Sequence, residues 1–141
     1  MKLLPQLVST LSIPLPFLGG VNAGFPSPAA DYIEDEIDLK SILMPNPSST
    51  FIMKIEGDSM INANIPPNAY IVIDRSVKPK NNSIVVAVLN GEITCKRLIK
   101  RGKLLALYPE NSKYVPIEIT EEMNFTVWGT VTNILIDATK L

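Results

Sequence analysis

Residues 83–99 read SIVVAVLNGEITCKRLI. Two runs rich in β-branched side chains, Ser83–Leu89 and Glu92–Ile99, flank Asn90-Gly91. Asn and Gly tolerate the positive φ that a two-residue hairpin turn demands, so this stretch predicts an antiparallel hairpin. In the second run the faces alternate. Ile93, Cys95, Arg97 and Ile99 share one side; Glu92, Thr94, Lys96 and Leu98 share the other.

The same composition recurs on both sides of the hairpin. Thr50–Ile55, Tyr70–Asp74, Lys103–Tyr108 and Phe125–Ile136 are further strand candidates. Turn residues separate them at Gly57-Asp58, Asn62 to Asn68, Asn81-Asn82, Gly102 and Pro109-Glu110-Asn111. Short strands at this spacing predict a mainly β fold, one antiparallel barrel or folded sheet over residues 31–141, and not alternating βαβ units. Before it, DYIEDEIDLKSILM (31–44) suggests a short helix over about 35–43, followed by a loop at Pro45–Ser49. The last run, with Val127, Trp128 and Ile134, reads equally as a core strand or as an apolar edge that a second subunit would cover.

Composition narrows the function. The 141 residues are enough for one domain, and a chain of this length can bury roughly two thirds of its unfolded surface. Thirteen Lys+Arg against 14 Asp+Glu give a net charge of -1, which argues against direct nucleic-acid binding. There is no histidine, which excludes a Ser-His-Asp triad and nearly all zinc sites. The single cysteine, Cys95, excludes an internal disulfide and fits a reducing, cytoplasmic setting. It lies on the strand face opposite Lys96 and reads as a packing residue. Neither a metal nor a cofactor is expected.

Residues 1–23, MKLLPQLVSTLSIPLPFLGGVNA, mimic a secretory signal: a basic Lys2, an apolar middle and a small-residue Val21-Asn22-Ala23 end. Pro5, Pro14 and Pro16 break the apolar stretch, and no run approaches the roughly 18 residues of a membrane span. Residues 1–30 are therefore expected to form a flexible, extended arm. Gly19-Gly20 and Gly24-Phe25-Pro26-Ser27-Pro28 surround Ala23, and small residues on an extended backbone are what a protease accepts.

Without histidine, a serine nucleophile needs a neutral lysine amine as base. A free lysine ionises near pH 10.4, so the amine must be buried to lose its proton near neutrality. Lys96, mid-strand, meets that demand, with Thr94 and Leu98 on the same face; Arg97 points away and is grouped with the solvated Lys100, Arg101 and Lys103. Ser59 lies in Gly57-Asp58-Ser59-Met60, at a turn after a strand, where backbone N–H groups, that of Met60 included, could hold an oxyanion. Read singly, each motif is also an ordinary turn or a snorkelling lysine.

Together with Ala23-Gly24, these motifs resemble the LexA/UmuD family of self-cleaving Ser/Lys peptidases, and most of all its UmuD branch of SOS mutagenesis proteins. The resemblance runs from Ala23–Ala29 through KIEGDSM (54–60), Tyr70–Asp74 and Thr94–Leu98 to Trp128–Val131. It implies that Ser59 attacks the Ala23 carbonyl while Lys96 acts as general base, cutting Ala23-Gly24. It also implies stimulation by a RecA filament on single-stranded DNA, a processed homodimer, and work with a Y-family, UmuC-like translesion polymerase. Two departures stand out. The family commonly has Gly-Asp where this chain has Asn82-Ser83, which bears on that turn, and Ala23 stands where some UmuD-type proteins have cysteine.

Three other readings compete. A LexA- or phage-type repressor carries the same peptidase domain but needs a DNA-binding helical domain, which 23 residues cannot supply. A membrane signal peptidase needs an anchoring span. A non-catalytic β module could bind a polymerase and keep the motif with its lysine charged.

Overall fold

The computed structural model describes residues 14–18 and 33–141, in two units, 1–47 and 48–141. In the first unit, β1 (Pro14–Leu18) pairs antiparallel with β2 (Ile33–Asp38). Part of the expected free arm is thus a strand. Pro14 and Pro16 alternate, so they withdraw donors from one edge only and a two-stranded ribbon remains possible. The residues between β1 and β2, Ala23 and Gly24 among them, lie outside the described residues.

The helix expected over 35–43 is shorter. α1 spans Leu39–Leu43, because residues up to Asp38 are paired in β2. The Asp38 carboxylate accepts from Lys40 N (3.1 Å) and Ser41 Oγ (3.1 Å), an N-cap that starts the helix at this point.

The second unit holds one seven-stranded antiparallel sheet. Its strands are β3 (Thr50–Lys54), β4 (Tyr70–Asp74), β5 (Ile84–Leu89), β6 (Glu92–Arg101), β7 (Leu104–Tyr108), β8 (Ile117–Glu118) and β9 (Phe125–Leu135). The spatial order is β3-β4-β9-β5-β6-β7-β8. The 83–99 stretch forms the anticipated hairpin. Asn90 and Gly91 take φ of 49° and 85°, and Leu89 pairs with Glu92 across the turn. The two-residue strand β8 has too few residues to show a pattern, and sequence reading passed over it.

β9 is not an edge. It lies between β4 and β5, so its apolar side chains serve the core: Val127 packs with one cluster, Trp128 and Ile134 with another. The subunit-edge reading of this run gives way to the core-strand reading. β5 supplies both clusters in alternation. Val86 joins Ile55, Met60, Ile65, Ala69, Ile71 and Ile73; Val85 and Ala87 join Leu98 and Leu107. A central strand covered on both faces needs such an unbroken apolar run. The first cluster lies beneath the loop that follows β3, and that loop carries Ser59.

Candidate active site

Ser59 is placed by a turn and an anchor. Beyond β3, Ile55 is fixed by backbone bonds from its N–H to Ala69 O and from Asn68 N–H to its own carbonyl, each 2.8 Å. Gly57 then takes φ +83°, a left-handed conformation that reverses the chain at little cost only without a Cβ. On the far side, Met60 is 2% exposed, and its side chain is sunk in the first core cluster. The Met60 carbonyl accepts from Ala63 N (3.0 Å) and Ile65 N (3.3 Å), closing a 3-10 turn at Ile61–Ala63. Ser59 is held half-buried between the two.

Lys96 comes from mid-β6. Its Nζ stands 3.1 Å from Ser59 Oγ, 2.7 Å from Thr94 Oγ1 and 3.1 Å from the Cys95 carbonyl. Thr94 is the residue two positions earlier on the same face, so strand alternation delivers this partner automatically. A neutral amine has two N–H donors and one lone pair. Thr94 Oγ1 and Cys95 O can take the two donors, which leaves the lone pair for the serine hydroxyl. Burial pushes the Lys96 ammonium below the ordinary lysine range, against a smaller opposing pull from Cys95. Both features favour an amine able to accept a proton.

The two residues line a cleft of about 330 Å³, together with Met53, Ile55, Met60 and Ile93. Cys95 packs against the first core cluster, and burial pushes its thiol up to about 11. A thiol this reluctant to ionise is a poor nucleophile at neutral pH, in keeping with its reading as packing. Among the described residues no cluster of His, Cys, Asp or Glu could hold a metal ion, and no helix is long and apolar enough to cross a membrane.

Arg97 departs from expectation. It is not part of a solvated basic group: its Nε pairs with Glu110 Oε1, and its Nη1 donates to Asn82 O at 2.7 Å. Asn82 itself takes φ 74°, a region Asn tolerates better than most residues, so the turn with Asn82-Ser83 forms without glycine. The loop after β7 also reaches the serine. Glu110 N donates to Ser59 O (2.8 Å), Asn62 N to Glu110 O (2.8 Å), Asn111 Nδ2 to Asp58 O (2.9 Å) and Tyr114 Oη to Asp58 Oδ1 (2.6 Å). Sequence reading saw only a turn at Pro109-Glu110-Asn111. No local pattern announces a partner some fifty residues away.

The comparisons with known proteins identify the family. Residues 16–132 match the family described as Peptidase S24-like. The chain belongs to that family. It is a self-cleaving serine peptidase of the LexA/UmuD group, of the SOS type. Protein MucA of Escherichia coli is 38% identical over 128 residues, covering 89% of this chain and 86% of the relative. Protein ImpA of Escherichia coli is 40% identical over 106 residues, 67% of this chain and 73% of that one. The LexA repressor of Clostridioides difficile is 38% identical over 123 residues, 86% of this chain but 57% of the repressor. The family match spans β3 to β6 and therefore both Ser59 and Lys96.

Proposed function

We propose that Ser59 is the nucleophile and Lys96 the general base of a self-cleavage that cuts Ala23-Gly24. The observation that carries this reading is the 3.1 Å approach of Lys96 Nζ to Ser59 Oγ in a partly buried cleft. The neutral amine takes the hydroxyl proton as Oγ bonds to the Ala23 carbonyl carbon. The resulting ammonium returns that proton to the Gly24 nitrogen as the peptide bond breaks, leaving an ester between Ser59 and Ala23. Water, deprotonated by the same amine, hydrolyses the ester and frees residues 1–23. The Met60 backbone N–H, adjacent to the nucleophile, is proposed as an oxyanion donor.

The family relationship further supports a processed homodimer, beginning at Gly24, that serves as accessory subunit to a Y-family, UmuC-like translesion polymerase. Stimulation by a RecA filament on single-stranded DNA, and a cytoplasmic setting, belong to the same proposal. The deciding experiment is mass spectrometry of the purified protein after incubation at pH 10, where Lys96, held by burial below the ordinary lysine range, carries its proton less often than at neutral pH. Fragments 1–23 and 24–141 are expected from the native chain and from neither Ser59→Ala nor Lys96→Ala. An intact native chain with its fold retained would refute the reading.

A further inference from the structure

We infer that Arg97 and Glu110 are positioning residues for the nucleophile: their ion pair, which ties the loop after β7 to the strand carrying Lys96, sets where the Ser59 hydroxyl stands relative to the amine. The inference rests on the roles proposed above for Ser59 and Lys96.

The amine is located by its own strand, through Thr94 and the Cys95 carbonyl. The serine has no strand to hold it. Its loop is gripped from residues 110–114, through the Glu110 N–H to Ser59 O, the Asn62 N–H to Glu110 O, Asn111 on the Asp58 carbonyl and Tyr114 on the Asp58 carboxylate. Two of these four bonds use the backbone of Glu110, so the place of that one residue governs the loop.

Arg97 fixes Glu110. Its guanidinium spans from the Glu110 carboxylate to the Asn82 carbonyl, using its fork in two directions at once. The two side chains are 27% and 29% exposed, so the pair is better shielded from water than a rim contact. Arg97 follows Lys96 on β6 and projects from the other face. One strand thereby presents the base directly and locates the nucleophile through Glu110. Displacement of a reacting atom by about 1 Å can cost on the order of 100-fold in rate, so this tie should be visible kinetically.

The test measures first-order self-cleavage of the full chain against pH for Arg97→Gln, Glu110→Gln and the double variant, with thermal unfolding alongside. The two single variants change the charge in opposite senses. An effect through the local field would move the pH midpoint in opposite directions; a positional effect lowers the limiting rate at high pH in both and leaves the midpoint in place. We expect each limiting rate to fall about 10- to 100-fold, with the double variant close to either single one. Glu110→Asp, which keeps the charge but draws the carboxylate back by a methylene, is expected to lose rate as well, so the test survives misfolding of the others. Native limiting rates, or midpoints that part in opposite directions at an unchanged limit, overturn the inference. Ser59→Ala separates the two levels: product from that variant refutes the nucleophile assignment, whereas a silent Ser59→Ala beside full-rate Arg97→Gln refutes only the positioning.

Discussion

Lys96 and Ser59 meet at 3.1 Å, yet they reach that point in opposite ways. The lysine stands inside a ten-residue strand, and its other partners, Thr94 and Cys95, lie within two residues of it in sequence. The serine stands in a loop, and much of its support comes from Glu110, Asn111 and Tyr114 on another loop. A base set by strand register is robust and locally encoded. A nucleophile set by loop-to-loop bonds depends on the whole sheet bringing two distant segments together.

The largest expected effect falls on the shared contact itself. Ser59→Ala and Lys96→Ala should each reduce self-cleavage by about a thousandfold or more, as loss of a nucleophile or of its base does. Release of fragments, quantified by mass, checks this. Comparable cleavage in either variant would dissolve the pairing on which the contrast rests.

Next comes Thr94→Val, which removes the amine's local partner. The limiting rate should fall about tenfold for loss of one orienting hydrogen bond. The pH midpoint should also move down, because the ammonium has three protons to place and loses more than the neutral amine does. In the native protein the rate should climb with pH to a midpoint below that of ordinary lysine, the direction set by burial. Stability follows with a definite sign. A lysine with a lowered folded value binds fewer protons than its unfolded counterpart, so its contribution improves as pH rises from the folded value toward the unfolded one. Lys96→Met should flatten that rise in denaturant titrations across the alkaline range.

Smaller effects probe the serine's side. Gly57→Ala places a Cβ at φ +83°, where open space surrounds it and only backbone strain is incurred. The cost should be about 1 kcal/mol, read as a lowered denaturant midpoint, with a several-fold loss of cleavage rate as the loop shifts. Tyr114→Phe should be milder still, a change of a few-fold in rate, since the other bonds to residues 58–62 remain. It should also let the Asp58 carboxyl, held below its usual range chiefly by the tyrosine hydroxyl, titrate closer to normal, which carboxylate NMR would register. Should Tyr114→Phe cost more than Thr94→Val, the division into a locally and a remotely supported partner would be reversed.

Most of the fold was legible because its signals are local. β-branched and aromatic composition between turn residues marked β3 to β7 and β9, alternation marked the two faces of β6, and Asn90-Gly91 marked the hairpin. What stayed open or went wrong did so where a local pattern admits two outcomes. The apolar run of β9 suits a core strand or a covered edge equally, and only strand order puts it between β4 and β5. The acidic stretch before Leu39 looked helical until pairing with β1 claimed it. Arg97 looked solvated because its partner, Glu110, follows it by 13 residues and a strand.

Side-chain chemistry and strand alternation, both short-range, were enough to determine an all-antiparallel body, the lack of any histidine-based route, and a serine and a lysine suited to each other. Tertiary structure alone decided that the two stand within reach, that burial weakens the ammonium, and that Arg97 serves the loop through Glu110. Distance, burial and hydrogen bonding between separated segments are properties of the packed sheet, and no residue carries them until the chain has closed around it.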